Sequence, residues 1–186
     1  MAEHRILWRR LDRPGHEYAG LRRDGSNWLL SGVAVFVDDK LPCRLEYAVV
    51  CNEAWATLHA SVNGSVGSRE VSAQVSARPD GVWLLNREPC PQVAGCTDID
   101  LNFSPSTNLL PIRRLNLATG EEAHVRAAWL RFPGFTLEPL EQTYRRLSGR
   151  MFRYESAAGT FVAELEVGEL GLPLRYGDIW SADAVL

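Results

Sequence analysis

Apolar and polar residues alternate along much of the chain, and clusters of turn-forming residues interrupt the alternation. Arg5 to Leu11 alternates around Ile6 and Trp8, and turn signals such as Asp24-Gly25 and Pro79-Asp80-Gly81 separate similar stretches. A period of two predicts β-strands with one buried face, whereas an amphipathic helix repeats every 3.6 residues. The sequence therefore predicts an all-β protein of about ten strands, most of them joined by hairpins.

Other stretches of the chain have individual secondary-structure predictions. Leu137 to Leu147 also fits a helical face, but Pro139 lies inside it and favours a strand. Residues 86–97 are the least regular part of the chain, and a turn or a single helical turn is expected at Ser104-Pro105-Ser106. The alternation in Leu174 to Trp180 predicts the last strand.

The length of 186 residues predicts one domain over residues 1–186. Its strands must bury their apolar faces in a sandwich, a closed barrel or a curved sheet rolled on itself. Two pairs of similar stretches suggest an internal duplication, because Asp24 to Leu30 resembles Asp80 to Leu85 and Leu41 to Tyr47 resembles Leu172 to Tyr176. Rolled sheets often leave an internal cavity, so we expect a polar-lined apolar interior.

The net charge and the hydropathy pattern indicate which classes of partner and which cellular compartment to expect. A net charge of −3 argues against nucleic acid as a partner. The first residues lack the apolar stretch of a signal peptide, and the longest near-apolar run, Trp28 to Val37, is too short to span a bilayer. We therefore expect a cytoplasmic protein without a transmembrane segment, in which the cysteines are reduced. The oligomeric state is not predicted.

Residues 95–115 concentrate polar side chains more than any other part of the chain. On a strand, Asp98, Asp100 and Asn102 share one face, with the two carboxylates about 7 Å apart, while Ile99 and Leu101 share the other face. Carboxylates, amides, hydroxyls and guanidinium groups together are typical of a site for a sugar or a polar head group. The predicted ligand-binding residues here are Asp98, Asp100, Asn102, Asn108, Arg113 and Arg114.

Two other hypotheses use the same segment. In the first, Asp98 or Asp100 acts with Glu17 or Glu46 as the carboxylate pair of a glycoside hydrolase. The second is structural: one of the two arginines pairs with an aspartate, and the segment ties strands together without binding a ligand. No nucleophile elbow, P-loop or dinucleotide fingerprint is present, so we predict no catalytic residue, metal or cofactor.

The run GCTDIDLNFSPSTNLLPIRRL (residues 95–115) resembles the signature of the putative glycolipid-binding family, bacterial proteins first described as a domain of unknown function. The resemblance extends over essentially the whole chain. Outside the signature it is carried by Trp8-Arg9-Arg10-Leu11, Gly15 with Glu17, Trp28, Tyr47, Cys51 with Trp55, Gln142 with Tyr144 and Arg145, and Tyr154 with Glu155-Ser156.

This resemblance implies a strongly curved antiparallel sheet, a spiral β-roll or incomplete barrel, similar to the carriers that move lipoproteins between membranes. It also implies an amphiphilic ligand, a glycolipid or another lipid, with the acyl chains in an apolar channel and the head group on residues 95–115. The ligand-binding residues predicted beyond that segment are Trp28 and Trp129, whose rings can stack on a sugar, and Glu46, Gln142 and Tyr144.

Overall fold

The computed structural model describes residues 3–186, so Met1 and Ala2 of the predicted domain lie outside the described residues. The strands are His4–Arg10 (β1), Gly15–Asp24 (β2), Asn27–Asp38 (β3), Leu41–Cys51 (β4), Thr57–Val66 (β5), Arg69–Ala77 (β6), Trp83–Leu85 (β7), Glu88–Pro89 (β8), Asp98–Leu101 (β9), Glu122–Arg131 (β10), Thr136–Arg146 (β11), Met151–Ser156 (β12), Phe161–Val167 (β13), Pro173–Tyr176 (β14) and Trp180–Val185 (β15). The one α-helix within residues 3–186 is Leu109–Leu115 (α1), and short 3-10 turns lie at Pro91–Val93, Ser106–Asn108 and Ala157–Gly159.

All of these strands belong to one sheet, in the order β8-β7-β6-β5-β4-β3-β2-β1-β15-β14-β13-β12-β11-β10-β9. Strand β1 lies in the middle, and the chain runs from it in hairpins to one edge at β8. After a crossover it enters the sheet at the other edge, at β9, and returns to pair β15 with β1. The predicted all-β rolled sheet is confirmed, and it is not closed into a barrel.

The pairing of β9 with β10 is the exception to the antiparallel arrangement, since these two strands run parallel. Parallel neighbours need a crossover connection of a dozen or more residues, and here that connection contains α1. The sequence predicted an antiparallel sheet and, at most, a single helical turn after β9. The parallel pairing and the helix α1 in the connection are therefore the differences from the prediction.

The edge strand β9 is tucked against the other arm of the sheet. The backbone N–H of Ile99 donates to Thr57 Oγ1 on β5 at 3.0 Å, and the N–H of Thr57 donates to the carbonyl of Thr97 at 3.1 Å. Strand β10 is buried on both faces at Ala127 and Ala128, which are both inaccessible although they point in opposite directions. These contacts make the sheet a spiral in which one edge lies inside the roll.

The interior of this roll is largely filled by the chain itself. Every residue from Phe103 to Ile112 is buried, and Leu109 and Leu110 at the start of α1 belong to the main hydrophobic core. A helix of seven residues has little stability of its own, so the burial of these apolar residues is what stabilises α1. These residues, Phe103 to Ile112, are called the inserted segment below, and they occupy part of the interior in which the sequence predicted a cavity.

Two strand predictions can be compared directly with the structure. Leu137 to Leu147 is a strand, as Pro139 indicated, with its bounds at Thr136–Arg146. The predicted strand Leu174 to Trp180 is instead two strands, β14 and β15, joined by a tight turn in which Gly177 has a φ of +48°. Glycine tolerates this left-handed conformation at little steric cost, so it marks the turn. The suggested internal duplication stays a prediction.

Within residues 3–186 the helices are all too short or too polar to cross a bilayer.

Candidate functional site

A cavity of about 370 Å³ lies between the concave face of the sheet and the inserted segment. It combines ring faces and aliphatic groups with many hydrogen-bonding groups. Its polar lining is Arg10, Asp12, Asp100, Asn102, Ser104, Asn108, Tyr154, Ser156 and Tyr176, and its apolar lining is Trp129, Leu140, Ala157, Phe161, Ile179 and Trp180.

Strand pairing explains how distant parts of the chain meet around this cavity. Eight adjacent strands, from β1 through β15 to β9, each contribute at least one lining residue. In strand order these residues include Arg10, Trp180, Tyr176, Phe161, Tyr154, Leu140, Trp129 and Asp100. Arg10 and Asp100 lie at opposite ends of this row. Asn102, just past the end of β9, and the inserted residues Ser104 and Asn108 also line the cavity.

Asp100 is the carboxylate of the cavity that the protein leaves partly unsatisfied. Its Oδ2 accepts a hydrogen bond of 2.7 Å from Gln142 Nε2, which also donates to the hydroxyl of Tyr154 at 3.0 Å. Its Oδ1 has no hydrogen-bond partner among residues 3–186. Burial raises the pKa of Asp100 to about 6, and the hydrogen bond from Gln142 opposes that shift.

Asn108 is held in a fixed orientation at the cavity wall. Its Nδ2 donates to the carbonyl of Pro105 at 3.0 Å, and its Oδ1 accepts from the hydroxyl of Tyr144 at 2.8 Å. Tyr144 is itself buried on β11. Asn102, in contrast, lies just past the end of β9 and is exposed, with its Oδ1 accepting from the N–H of Phe132 at 3.2 Å.

Asp98 has a different role from Asp100, although both lie on β9. It is buried and accepts two hydrogen bonds from Arg114 of α1, Nε to Oδ1 at 3.0 Å and Nη2 to Oδ2 at 2.5 Å. Burial raises the pKa of Asp98, opposed by the hydrogen bonds and charge of Arg114. The pair ties the edge strand to the inserted helix, and neither residue lines the cavity.

A second polar cluster lies directly behind the cavity wall. Glu17 is fully buried on β2, and its Oε1 accepts from Tyr47 Oη and from Ser104 Oγ, both at 2.6 Å. Its Oε2 is buried without a hydrogen-bond partner in the described chain. Burial raises the pKa of Glu17 to about 7, against the hydrogen bonds from Ser104 and Tyr47. Ser104 connects this cluster to the cavity, which it lines.

Gly32 makes the contact between Tyr47 and Glu17 possible. Gly32 on β3 pairs with Tyr47 on β4, and a Cβ at Gly32 would lie 2.6 Å from the Tyr47 hydroxyl and from the carbonyl oxygen of Tyr18. The missing side chain leaves room for the Tyr47 ring to cross over β3 and reach β2. A glycine in a strand often marks such a close approach.

Arg10 brings a cation to the cavity, but its charge is paired. Its Nε and Nη2 donate to the two carboxylate oxygens of Asp12 at 2.9 and 3.2 Å. Although burial raises the pKa of Asp12, hydrogen bonds from Arg10 and Arg13 lower it below its usual value overall. The Arg10 guanidinium also lies 4.8 Å from the ring centre of Trp180, so this cavity wall already accepts a cation on an aromatic face.

The structure brings only part of the predicted set together. Four of its members line the cavity: Asp100, Asn102, Asn108 and Trp129. Two more support them by hydrogen bonds, Gln142 to Asp100 and Tyr144 to Asn108. The remaining pair, Asp98 with Arg114, is not part of the lining.

Three predicted residues lie elsewhere. Glu46 points outward from β4 and pairs with Arg44, because its strand position alternates with buried Tyr47. Trp28 stacks on Trp55 with ring centres 4.5 Å apart. The guanidinium of Arg113 lies over the Trp55 ring, 5.3 Å from its centre.

We call the part of the cavity lining that comes from β1 and from β12 to β15 the far wall; it includes Arg10, Tyr154, Tyr176 and Trp180. Sequence reasoning did not assign a ligand role to these residues. Spacing could not have found them, because they come from both ends of the chain. The available signal was the family resemblance, since Arg10 and Tyr154 are among the residues that carry it.

Comparisons with known proteins identify a family and a similar solved structure. The model of the family described as putative glycolipid-binding matches residues 5–182. The crystal structure of a DUF1089 family protein from Pseudomonas aeruginosa superposes with a TM-score of 0.76 at 30% sequence identity, covering 86% of this chain and 88% of that chain. No curated protein sequence matches significantly.

Proposed function

The chain belongs to the putative glycolipid-binding family, and from that premise we propose that it binds the sugar head group of a glycolipid in the cavity between β9 and the far wall. The observation that carries the proposal is the lining itself. Aromatic rings from four adjacent strands, β12 to β15, and from β10 face the same space as Asp100, Asn108 and Ser104. Sugars have apolar ring faces and hydroxyl groups that each need a directed partner, so this combination suits them.

The size of the cavity limits how much of the ligand it can hold. A volume of about 370 Å³ is near the lower end of the range for small-molecule pockets, about 300–1,000 Å³. Such a space suits a sugar head group, and the acyl chains would then extend outside it. This revises the expected apolar channel, because the buried residues Phe103 to Ile112 occupy part of the interior.

Binding of a simple sugar amphiphile tests the proposal. Octyl glucoside, kept below its micellar concentration, should bind the protein in isothermal titration calorimetry. A matched octyl polyoxyethylene ether, which has the same chain but no sugar, should bind much more weakly. Equal binding of the two amphiphiles, or binding of neither, would contradict a head-group site. Mass spectrometry of lipids that copurify with the protein would then identify the natural ligand.

Glycoside hydrolysis receives less support from the same geometry. Asp98 is engaged by Arg114, Glu46 lies on the outer surface, and Glu17 is separated from the cavity by Ser104. Of the four acids considered from the sequence, Asp100 alone lines the cavity. A glycosidase needs two carboxyl groups that flank the scissile bond. The other acid in the lining, Asp12, has both of its oxygens paired with Arg10, so we favour binding.

A cytoplasmic location is part of the proposal and rests on the sequence. Fractionation of cells that produce the native protein checks it, since recovery with a membrane or an extracellular fraction would contradict it.

A further inference from the structure

The charges around the cavity do not balance. Arg10 is paired with Asp12, and Arg114 is paired with Asp98. Asp100 is then left as a carboxylate whose hydrogen-bond donor from residues 3–186 is the neutral amide of Gln142.

The groups packed around Asp100 do not supply a compensating positive charge. Gln142 and Tyr154 approach it from β11 and β12, and Trp129 pairs with it on β10. Tyr144 and Tyr176 are neutral as well, because burial raises the pKa of each hydroxyl well above its ordinary value. An ionised carboxylate in such half-buried surroundings loses part of the solvation it has in water, and a bound cation would compensate for that loss.

The walls of the cavity also suit a cation. Tyr154, Phe161 and Tyr176 form a mutually packed group with ring centres 5.9 to 6.1 Å apart, and Trp129 and Trp180 line the same space. Aromatic faces attract ammonium groups through the ring quadrupole, and a carboxylate beside such faces adds a directed charge contact. Arg10 over Trp180 shows the same kind of contact within the protein.

We propose that the head group bound in this cavity carries a protonated amine, as an amino sugar does, and that the amine binds to the open Oδ1 of Asp100. The inference rests on the proposed function, and it names the chemical class of the head group. Ordinary sugar hydroxyls can also donate to Asp100, so the comparison that decides is between an amine and a hydroxyl at the same position.

Three octyl glycosides make that comparison: the glucoside, the 2-amino-2-deoxyglucoside and its N-acetyl derivative. At pH 7 and low salt we expect calorimetry to show the amine binding at least about tenfold tighter than the glucoside, a ratio that equals about 1.4 kcal/mol. Acetylation, which removes the charge, should abolish this advantage. Equal or weaker binding of the amine would overturn the inference while leaving the proposed function intact, and binding of none of the three would contradict both.

Asp100→Asn supplies the matched variant, because it keeps the shape of the side chain and removes its charge. The variant should bind the glucoside and the amine with similar affinities, and its thermal unfolding should show that it is folded. A preference for the amine that persists in Asp100→Asn would overturn the inference. Should the variant not fold, the wild type still decides: at pH 6 binding of the amine should release protons in calorimetry with buffers of different ionisation enthalpies, and the glucoside should release fewer. Equal release by both would count against Asp100.

Discussion

Arg114 holds Asp98 with two parallel hydrogen bonds, and this pair joins the edge strand β9 to the helix that fills the roll. Asp98 is only 1% exposed, whereas Arg114 retains contact with solvent. The structural hypothesis from the sequence therefore applies to Asp98, with Arg114 as the partner, while Asp100 two residues later faces the cavity.

The Asp98–Arg114 pair predicts unequal effects of two neighbouring arginines. Arg114→Ala should lower the free energy of unfolding by about 3–5 kcal/mol, because it leaves a buried carboxylate without its partner. Arg113→Ala removes an exposed side chain that lies over Trp55, and should cost about 1 kcal/mol or less. Urea denaturation of the two variants measures both values. Similar losses for both would contradict the assigned role of Arg114.

Glu17 predicts a pH dependence of stability. Its pKa is about 7 in the folded protein and its ordinary value is 4.5, so the folded state binds more protons between these values. The free energy of unfolding contributed by this group is therefore fully present below pH 4.5 and falls as the pH rises to 7. The loss amounts to roughly 3 kcal/mol at pH 8.

Glu17→Gln should remove that dependence. Relative to the wild type, the variant should gain roughly 3 kcal/mol between pH 4.5 and pH 8, whatever constant offset the substitution adds. Denaturant unfolding at a series of pH values gives this difference. Glu46→Gln, which changes an exposed carboxylate on β4, is the control and should show no such step. A flat difference for Glu17→Gln would mean that Glu17 is already ionised at pH 5.

The approach of Tyr47 to Glu17 predicts that Gly32 does not tolerate a side chain. Gly32→Ala would place a Cβ 2.7 Å from the Tyr47 ring carbon that bears the hydroxyl, and overpacking of this kind costs about 1–3 kcal/mol. Gly134→Ala is the control, since a Cβ there would meet nothing within 4 Å. Thermal unfolding compares the two. No loss of stability in Gly32→Ala would show that Tyr47 moves aside freely.

Two tryptophans that the sequence treated alike should behave differently toward a ligand. Trp129→Ala removes an aromatic wall of the cavity, and should weaken the binding of octyl glucoside about tenfold, as expected for a large anchor residue. Trp28→Ala disrupts the stack with Trp55, and should lower stability without changing affinity. Calorimetric titration of both variants provides the measurement. Equal loss of affinity would place the ligand nearer to Trp28.

The sequence alone was sufficient for the local features of the fold and the site. Alternation predicted most strands, because a strand with one buried face repeats every two residues whatever its neighbours are. At Leu137 to Leu147, where a helical face also fitted, Pro139 decided for the strand that the structure places at Thr136–Arg146. It also separated Asp100 from Ile99 and Leu101, which lie in the main core. The missed features were α1 and the division of Leu174 to Trp180 into two strands. The sequence left open which of the two arginines pairs with which aspartate.

Which residues share a space depends on the three-dimensional arrangement of the strands. Arg10 and Asp100 line one cavity although 89 residues separate them in the chain, because the sheet places their strands at the two ends of a curved row. Glu46 lies outside it because it occupies the outward face of β4, and Trp28 lies outside it because it packs on Trp55 in another part of the core. Spacing along one strand specifies a face, but the pairing of distant strands and the curvature of the sheet determine what that face meets.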